Sequence, residues 1–209
     1  MTASELLRRY LDECPLVAII RGVSPDEADA IGEAIYEGGI RIIEVPLNSP
    51  NPLKSIELLA AKFGAQVLVG AGTVLDPADV QRVRDVGGGI IVSPDTNEKV
   101  IAATAAAGLV ASPGYFTPSE ALAAIRAGAT SLKLFPAEAA TPAVLKALLA
   151  VLPKDTPILP VGGIKPDNMR PWLDVGASGF GLGSGLYKPG QSAADTLMKA
   201  RAYVAGVNQ

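Results

Sequence analysis

The run Leu16-Val17-Ala18-Ile19-Ile20-Arg21-Gly22, followed at once by Val23-Ser24-Pro25-Asp26-Glu27, decides the fold. A β-prone apolar series leads into a charge and a glycine, which reads as a short buried strand and its exit. Ser24 is then an N-cap and Pro25 the first helical residue, opening a helix to about residue 37 that Gly38-Gly39 stops. The same order recurs down the chain. Strands are expected over 41–46, 66–71, 89–93, 109–112, 131–135, 157–161 and 178–182. Helices are expected over 52–63, 77–86 and 96–107, after Thr117-Pro118-Ser119-Glu120, after Thr141-Pro142, after Lys165-Pro166-Asp167, and from 193 to about 206. Gly39, Gly64, Gly87, Gly108, Gly128 and Gly176 stand between a helix and the next strand, where a C-terminal stop belongs. Eight strand-then-helix units with short connections predict a (β/α)8 TIM barrel rather than an open doubly wound sheet. Residues 1–9 start an extra amphipathic N-terminal helix. No linker, charge block or low-complexity segment interrupts the chain, so one domain over 1–209 is expected.

A hydrophobic content of 49% with only 5% aromatic residues suits a parallel sheet covered by Ala-rich helices. No apolar run reaches the length of a membrane span, and the first residues lack the basic-then-apolar order of a signal peptide. A cytoplasmic location and no membrane partner are expected. The net charge of -3, with Lys and Arg scattered, argues against nucleic acid as a partner. The single Cys14 excludes an internal disulfide and a cysteine-rich metal site, and is expected to be buried and inert. There is no histidine, which removes the usual general base, the commonest metal ligand and every Ser-His or Cys-His pair. Proton transfer falls to carboxylate, lysine, tyrosine or water.

Thr130-Ser131-Leu132-Lys133-Leu134-Phe135-Pro136 sets one lysine inside an apolar strand. Side chains alternate, so Lys133 shares a face with Ser131 and Phe135, opposite Leu132 and Leu134. Lost hydration there lowers the lysine pKa and frees an amine that can attack a ketone; the alternative is a lysine that snorkels to water. Glu44 likewise interrupts an apolar strand. It is either a buried carboxylate paired with Arg21 or Lys133, or a general acid/base beside the amine, and the two readings are compatible.

Barrel chemistry gathers at the carboxyl ends of strands, which here carry Arg21, Glu44, Asn48, Thr73, Pro94, Lys133, Gly162-Gly163 and Gly183-Ser184. Gly162-Gly163 and the Gly181–185 run follow the seventh and eighth strands, the usual phosphate-binding loops, where glycines admit backbone amides and a following short helix adds its positive end. Gly87-Gly88-Gly89 lies at a strand's amino end and reads as a turn. Thr73 either caps the next helix or holds a substrate carboxylate. Arg21 pairs with Glu44, binds an anion, or both. Pro94 and Phe135 supply an apolar wall near the amine.

Four blocks carry a resemblance: Gly39-Ile40-Arg41-Ile42-Ile43-Glu44-Val45, Val69-Gly70-Ala71-Gly72-Thr73-Val74-Leu75, Leu132-Lys133-Leu134-Phe135-Pro136-Ala137-Glu138 and Val161-Gly162-Gly163-Ile164. Together they resemble the 2-keto-3-deoxy-6-phosphogluconate/phosphogalactonate aldolases. The resemblance implies a class I, Schiff-base aldolase of carbohydrate metabolism that splits a phosphorylated 2-keto-3-deoxy sugar acid into pyruvate and glyceraldehyde 3-phosphate. It implies Lys133 as Schiff-base lysine, Glu44 as acid/base, Thr73 at a pyruvate-carboxylate position, and Gly162, Gly163 and Ser184 at phosphate positions. It further implies a homotrimer with no metal and no cofactor. Where phosphogluconate members resemble Glu-Val-Thr-Leu-Arg, this chain has Glu44-Val45-Pro46-Leu47-Asn48, and Val161 replaces a threonine before the glycine pair. Both match the phosphogalactonate branch and galactonate degradation. A threonine hydroxyl can hydrogen-bond one C4 epimer, whereas valine keeps the shape without the bond; Asn48 and Val161 are therefore the expected C4-specificity positions. The alternatives are cleavage of the gluconate epimer, a phosphosugar isomerase or epimerase using Glu44 as base, and a non-catalytic phosphosugar-binding barrel.

Overall fold

The computed structural model describes residues 1–208. Thr2 opens α1 (Ala3–Glu13), its hydroxyl accepting from the Glu5 N–H while the Glu5 carboxylate accepts from the Thr2 N–H. Then β1 (Leu16–Ile19), α2 (Pro25–Glu37), β2 (Ile42–Pro46), α3 (Pro52–Phe63), β3 (Leu68–Gly72), α4 (Pro77–Asp85), β4 (Ile90–Val92), α5 (Glu98–Ala106) and β5 (Val110–Ser112) alternate. After Pro113 come β6 (Gly114–Tyr115), α6 (Pro118–Arg126), β7 (Leu132–Leu134), α7 (Pro142–Leu149), β8 (Ile158–Pro160), α8 (Arg170–Asp174), β9 (Phe180–Leu182) and α9 (Ala193–Val207). The six expected glycine stops all take positive φ, from 51° at Gly64 to 111° at Gly176.

Two departures from the sequence reading have local causes. The strand expected over 109–112 resumes beyond Pro113 as β6, because proline has no N–H to give a ladder. Its carbonyl still accepts from the Lys133 N–H at 2.9 Å, which keeps the two pieces in line. The helix expected after Lys165-Pro166-Asp167 shrinks to α8. Asn168 there accepts from the Lys165 N–H at 2.9 Å and donates to the Gly163 carbonyl at 2.8 Å, a local arrangement that competes with helix formation.

Every strand pairing is parallel. One sheet has the order β5-β4-β3-β2-β1-β9, the other β6-β7-β8, and a parallel bridge joins Val161 to Gly181 across the gap between β8 and β9. The larger sheet curls into a half-barrel. Alternation divides the side chains of the two sheets between two cores. Ile43, Val45, Val69, Ala71, Ile91 and Leu132 pack outward with helix residues such as Ile35, Ile56 and Leu59. Val17, Ile42, Leu68, Ile90, Val110 and Leu159 point the other way, into a smaller cluster that Leu7, Tyr10 and Leu11 of α1 cover. The amphipathic start of the chain thus seals the amino ends of the strands. Cys14 is buried, and burial pushes its thiol up to about 11.

Candidate active site

Glu44 and Lys133 are the charged residues that alternation turns inward. In register, Glu44 lies between Ile19 of β1 and Gly70 of β3, and Lys133 between Gly114 of β6 and Leu159 of β8. Both are buried, at 1% and 6% exposure, so Lys133 does not snorkel. They line one small cavity of about 10 Å³ whose remaining walls include Val17, Ile90, Val92 and Leu159. Gly72 gives the carboxylate its room, since a Cβ built there would lie 1.8 Å from Glu44 Oε2.

Electrostatics follow from this burial. Desolvation raises Glu44 to about 7, against the opposing pull of Lys133 and Arg21. Desolvation lowers Lys133, Glu44 opposes that shift, and Arg21 adds to it. Glu44 Oε2 has no hydrogen-bond partner among the described residues. The pair is therefore poised with a carboxyl able to hold or release a proton near neutrality and an amine with part of its basicity removed. Lys133 Nζ stands 4.8 Å from the Phe135 ring centroid.

Above the pair opens a cleft of about 460 Å³. Arg21, Thr73, Pro94, Phe135, Val161, Gly162, Gly163, Gly183 and Ser184 all border it together with Lys133. A larger cleft, about 590 Å³, lies near α1 and the amino ends of β3 and β4, on the side away from this chemistry.

The contacts resolve several of the open alternatives and correct the expected helix after the eighth strand. Arg21 does not hydrogen-bond to Glu44: its Nη1 donates to Asn48 Oδ1 at 2.5 Å and to Thr73 Oγ1 at 3.3 Å. Asn48 thus holds Arg21 at the mouth of the cleft without itself being among the residues that border it. After β9 there is no short helix to supply a positive end. Instead a turn forms in which the N–H groups of Leu186 and Tyr187 both donate to the Gly183 carbonyl. Thr73, for its part, is not a helix cap, because Asp76 caps α4 by accepting from the Ala78 N–H at 2.8 Å. It holds φ at 56°, a costly conformation for a β-branched residue, and faces Arg21 instead.

Gly162 and Gly163 turn the chain at φ 113° and 65°. The same cleft holds Glu138, Lys165 and Lys188, which the sequence reading passed over. The signal for the lysines was present: each follows a glycine-rich loop by a few residues. Among the described residues no group of three or more His, Cys, Asp or Glu is arranged to hold a metal ion, and no helix is long and apolar enough to cross a membrane.

Comparison with known proteins agrees with this layout. Residues 7–199 match the family model "KDPG and KHG aldolase". A protein of Rhizobium meliloti (strain 1021), named "Probable 2-dehydro-3-deoxy-6-phosphogalactonate aldolase", is 49% identical over 193 residues, covering 92% of this chain and 91% of its own. The Escherichia coli (strain K12) "2-dehydro-3-deoxy-6-phosphogalactonate aldolase" is 44% identical over 196 residues, covering 94% and 96%. A solved structure described as "Native KDPGal structure" superposes with a TM-score of 0.92 at 42% identity, over 94% of this chain and 95% of that one. An amine and a carboxyl buried in one cavity, under a cleft edged by glycine turns, are thus the site of a chain that belongs to the KDPG and KHG aldolase family.

Proposed function

We propose that the protein is a class I aldolase that cleaves 2-dehydro-3-deoxy-6-phosphogalactonate to pyruvate and D-glyceraldehyde 3-phosphate. The observation that carries this reading is the shared burial of Lys133 and Glu44, with desolvation pushing their pKa values toward each other. Neutral Lys133 Nζ attacks the C2 ketone, and loss of water from the carbinolamine leaves a protonated imine. Glu44 takes the proton of the C4 hydroxyl as the C3–C4 bond breaks; its electron pair flows into the imine, giving the enamine and glyceraldehyde 3-phosphate. Protonation at C3 and hydrolysis of the imine release pyruvate and restore the amine. A carboxyl near 7 suits both halves, since it accepts one proton and returns one.

Arg21, braced by Asn48, and Thr73 hold the substrate carboxylate, with Pro94 and Phe135 as the dry wall. Gly162, Gly163, Gly183 and Ser184 receive the phosphate, aided by the charges of Lys165 and Lys188. This remote binding sets the reacting carbons over the amine. Val161, on the wall between the two ends, favours the galactonate epimer by offering C4 shape without a hydrogen bond. The framework is a single (β/α)8 barrel with α1 as an addition: continuity through Pro113 and the Val161–Gly181 bridge support closure of the two sheets into one ring. It works without a cofactor, as a cytoplasmic homotrimer.

The test is borohydride reduction in the presence of pyruvate, followed by intact mass and peptide mapping. One pyruvyl adduct on Lys133 is expected, and none on Lys133→Ala, whose turnover should fall by at least about 10⁴-fold. Adduct on another lysine, or turnover retained by the variant, would remove Lys133 from the mechanism. Cleavage of the two phosphorylated C4 epimers, compared as kcat/KM, then decides the substrate.

A further inference from the structure

Glu138 belongs to no part of the mechanism above, yet it lies across the glycine pair. It sits on the single turn Ala137–Ala139 that follows β7, and the Ala137 N–H donates to the Val161 carbonyl at 2.9 Å, fixing this turn beside residues 162 and 163. A Cβ built on Gly162 would lie 2.0 Å from Glu138 Oε2 and 3.0 Å from Oε1. One built on Gly163 would lie 2.7 Å from Glu138 Cγ. The Glu138 side chain therefore lies over both glycines, its carboxylate on Gly162 and its stem on Gly163, and the carboxylate makes no hydrogen bond or ion pair among the described residues. Its surroundings in the cleft include Ser184 and the cations Lys165 and Lys188, the equipment of an anion site.

We infer that Glu138 is a specificity-determining residue of the phosphate end: an internal anion that occupies the glycine cradle and must be displaced by the incoming phosphate. The inference rests on the reading of Gly162, Gly163 and Ser184 as the phosphate subsite. A resident carboxylate has two effects there. It weakens the hold on phosphate by charge repulsion, which favours departure of glyceraldehyde 3-phosphate, and it leaves an unphosphorylated sugar acid nearly unaffected. Displacement is sterically feasible because the side chain is exposed and unbonded.

The experiment measures competitive inhibition of cleavage by glycerol 3-phosphate in the wild type, Glu138→Gln, Glu138→Ala and Ser184→Ala, at low and high ionic strength. Removing the charge in Glu138→Gln should lower the inhibition constant and the KM of the phosphorylated acid by about three- to tenfold at low salt. The gain should shrink as salt rises, since screening acts on charge repulsion and not on shape. KM for the unphosphorylated acid should stay within about twofold of wild type. Weaker or unchanged inhibition in Glu138→Gln, with melting temperature preserved, overturns the inference and makes Glu138 an acceptor for a substrate hydroxyl or a bystander. A tightening seen only in Glu138→Ala would assign the effect to bulk and likewise overturn it. If glycerol 3-phosphate does not compete in the wild type, or Ser184→Ala leaves its inhibition unchanged, the phosphate subsite itself has been misplaced, a result separable from failure of the Glu138 proposal.

Discussion

Glu44 carries two predictions at the scale of single residues. The first concerns its space. Since a Cβ on Gly72 would overlap its carboxylate, Gly72→Ala should push the carboxyl away from Lys133 and lower kcat by about 10²-fold, the usual cost of an ångström of misplacement. Steady-state kinetics beside borohydride trapping check this; an unchanged kcat would show that Glu44 is not held by that contact. The second concerns its proton. With the native value near 7 against an ordinary value of 4.5, the folded protein binds this proton more tightly than the unfolded chain. The associated stability is fully present below pH 4.5 and is lost as pH rises through 7, a difference on the order of 3 kcal/mol. Lys133, lowered by burial, has the opposite sign, its penalty easing as pH rises. Glu44→Gln, with Lys133 retained, should therefore have a higher urea midpoint than wild type at pH 8 and a much smaller advantage at pH 5. An equal gap at both pH values would contradict the raised carboxyl.

At the scale of elements, α1 is the part whose contribution is easiest to isolate. Leu7 is 1% exposed and packs on the inward apolar set of the strands. Leu7→Ala should cost about 2–5 kcal/mol of stability in urea denaturation while pyruvate still traps on Lys133. A loss below about 0.5 kcal/mol would mean that α1 only rests on the sheet. Elements also mark where the sequence was readable. Helix starts were legible because N-caps and N1 prolines are local signals: α3 and α6 begin at Pro52 and Pro118, and helix ends were legible from glycine. Lys133 and Glu44 were legible because a charge in an apolar strand has few reasons to be there. Side-chain partnerships were not. Arg21 binding Asn48, and Glu138 lying on Gly162, join residues 27 and 24 positions apart, and no local pattern encodes which of several possible partners a long side chain reaches. The shortening of α8 depended likewise on Asn168 finding the Gly163 carbonyl.

For the whole molecule, the trimer proposal makes a direct claim. Sedimentation equilibrium at micromolar concentration should return three times the chain mass of 21.4 kDa, and a monomer there would overturn it. The ring proposal has a subtler outcome, because the bridge between β8 and β9 is made by Val161, the residue assigned to reading C4. A Cβ on Gly181 would lie 2.6 Å from Val161 Cγ2, so the two strands meet with no room for a side chain at position 181. On the proposed reading, substrate choice and closure of the ring share one position. Threonine matches valine in shape there, with a hydroxyl in place of one methyl. On that reading, exchanging valine and threonine at 161 changes the hydrogen bonding offered to C4 while keeping the shape of the seam, so epimer preference can shift without reopening the ring.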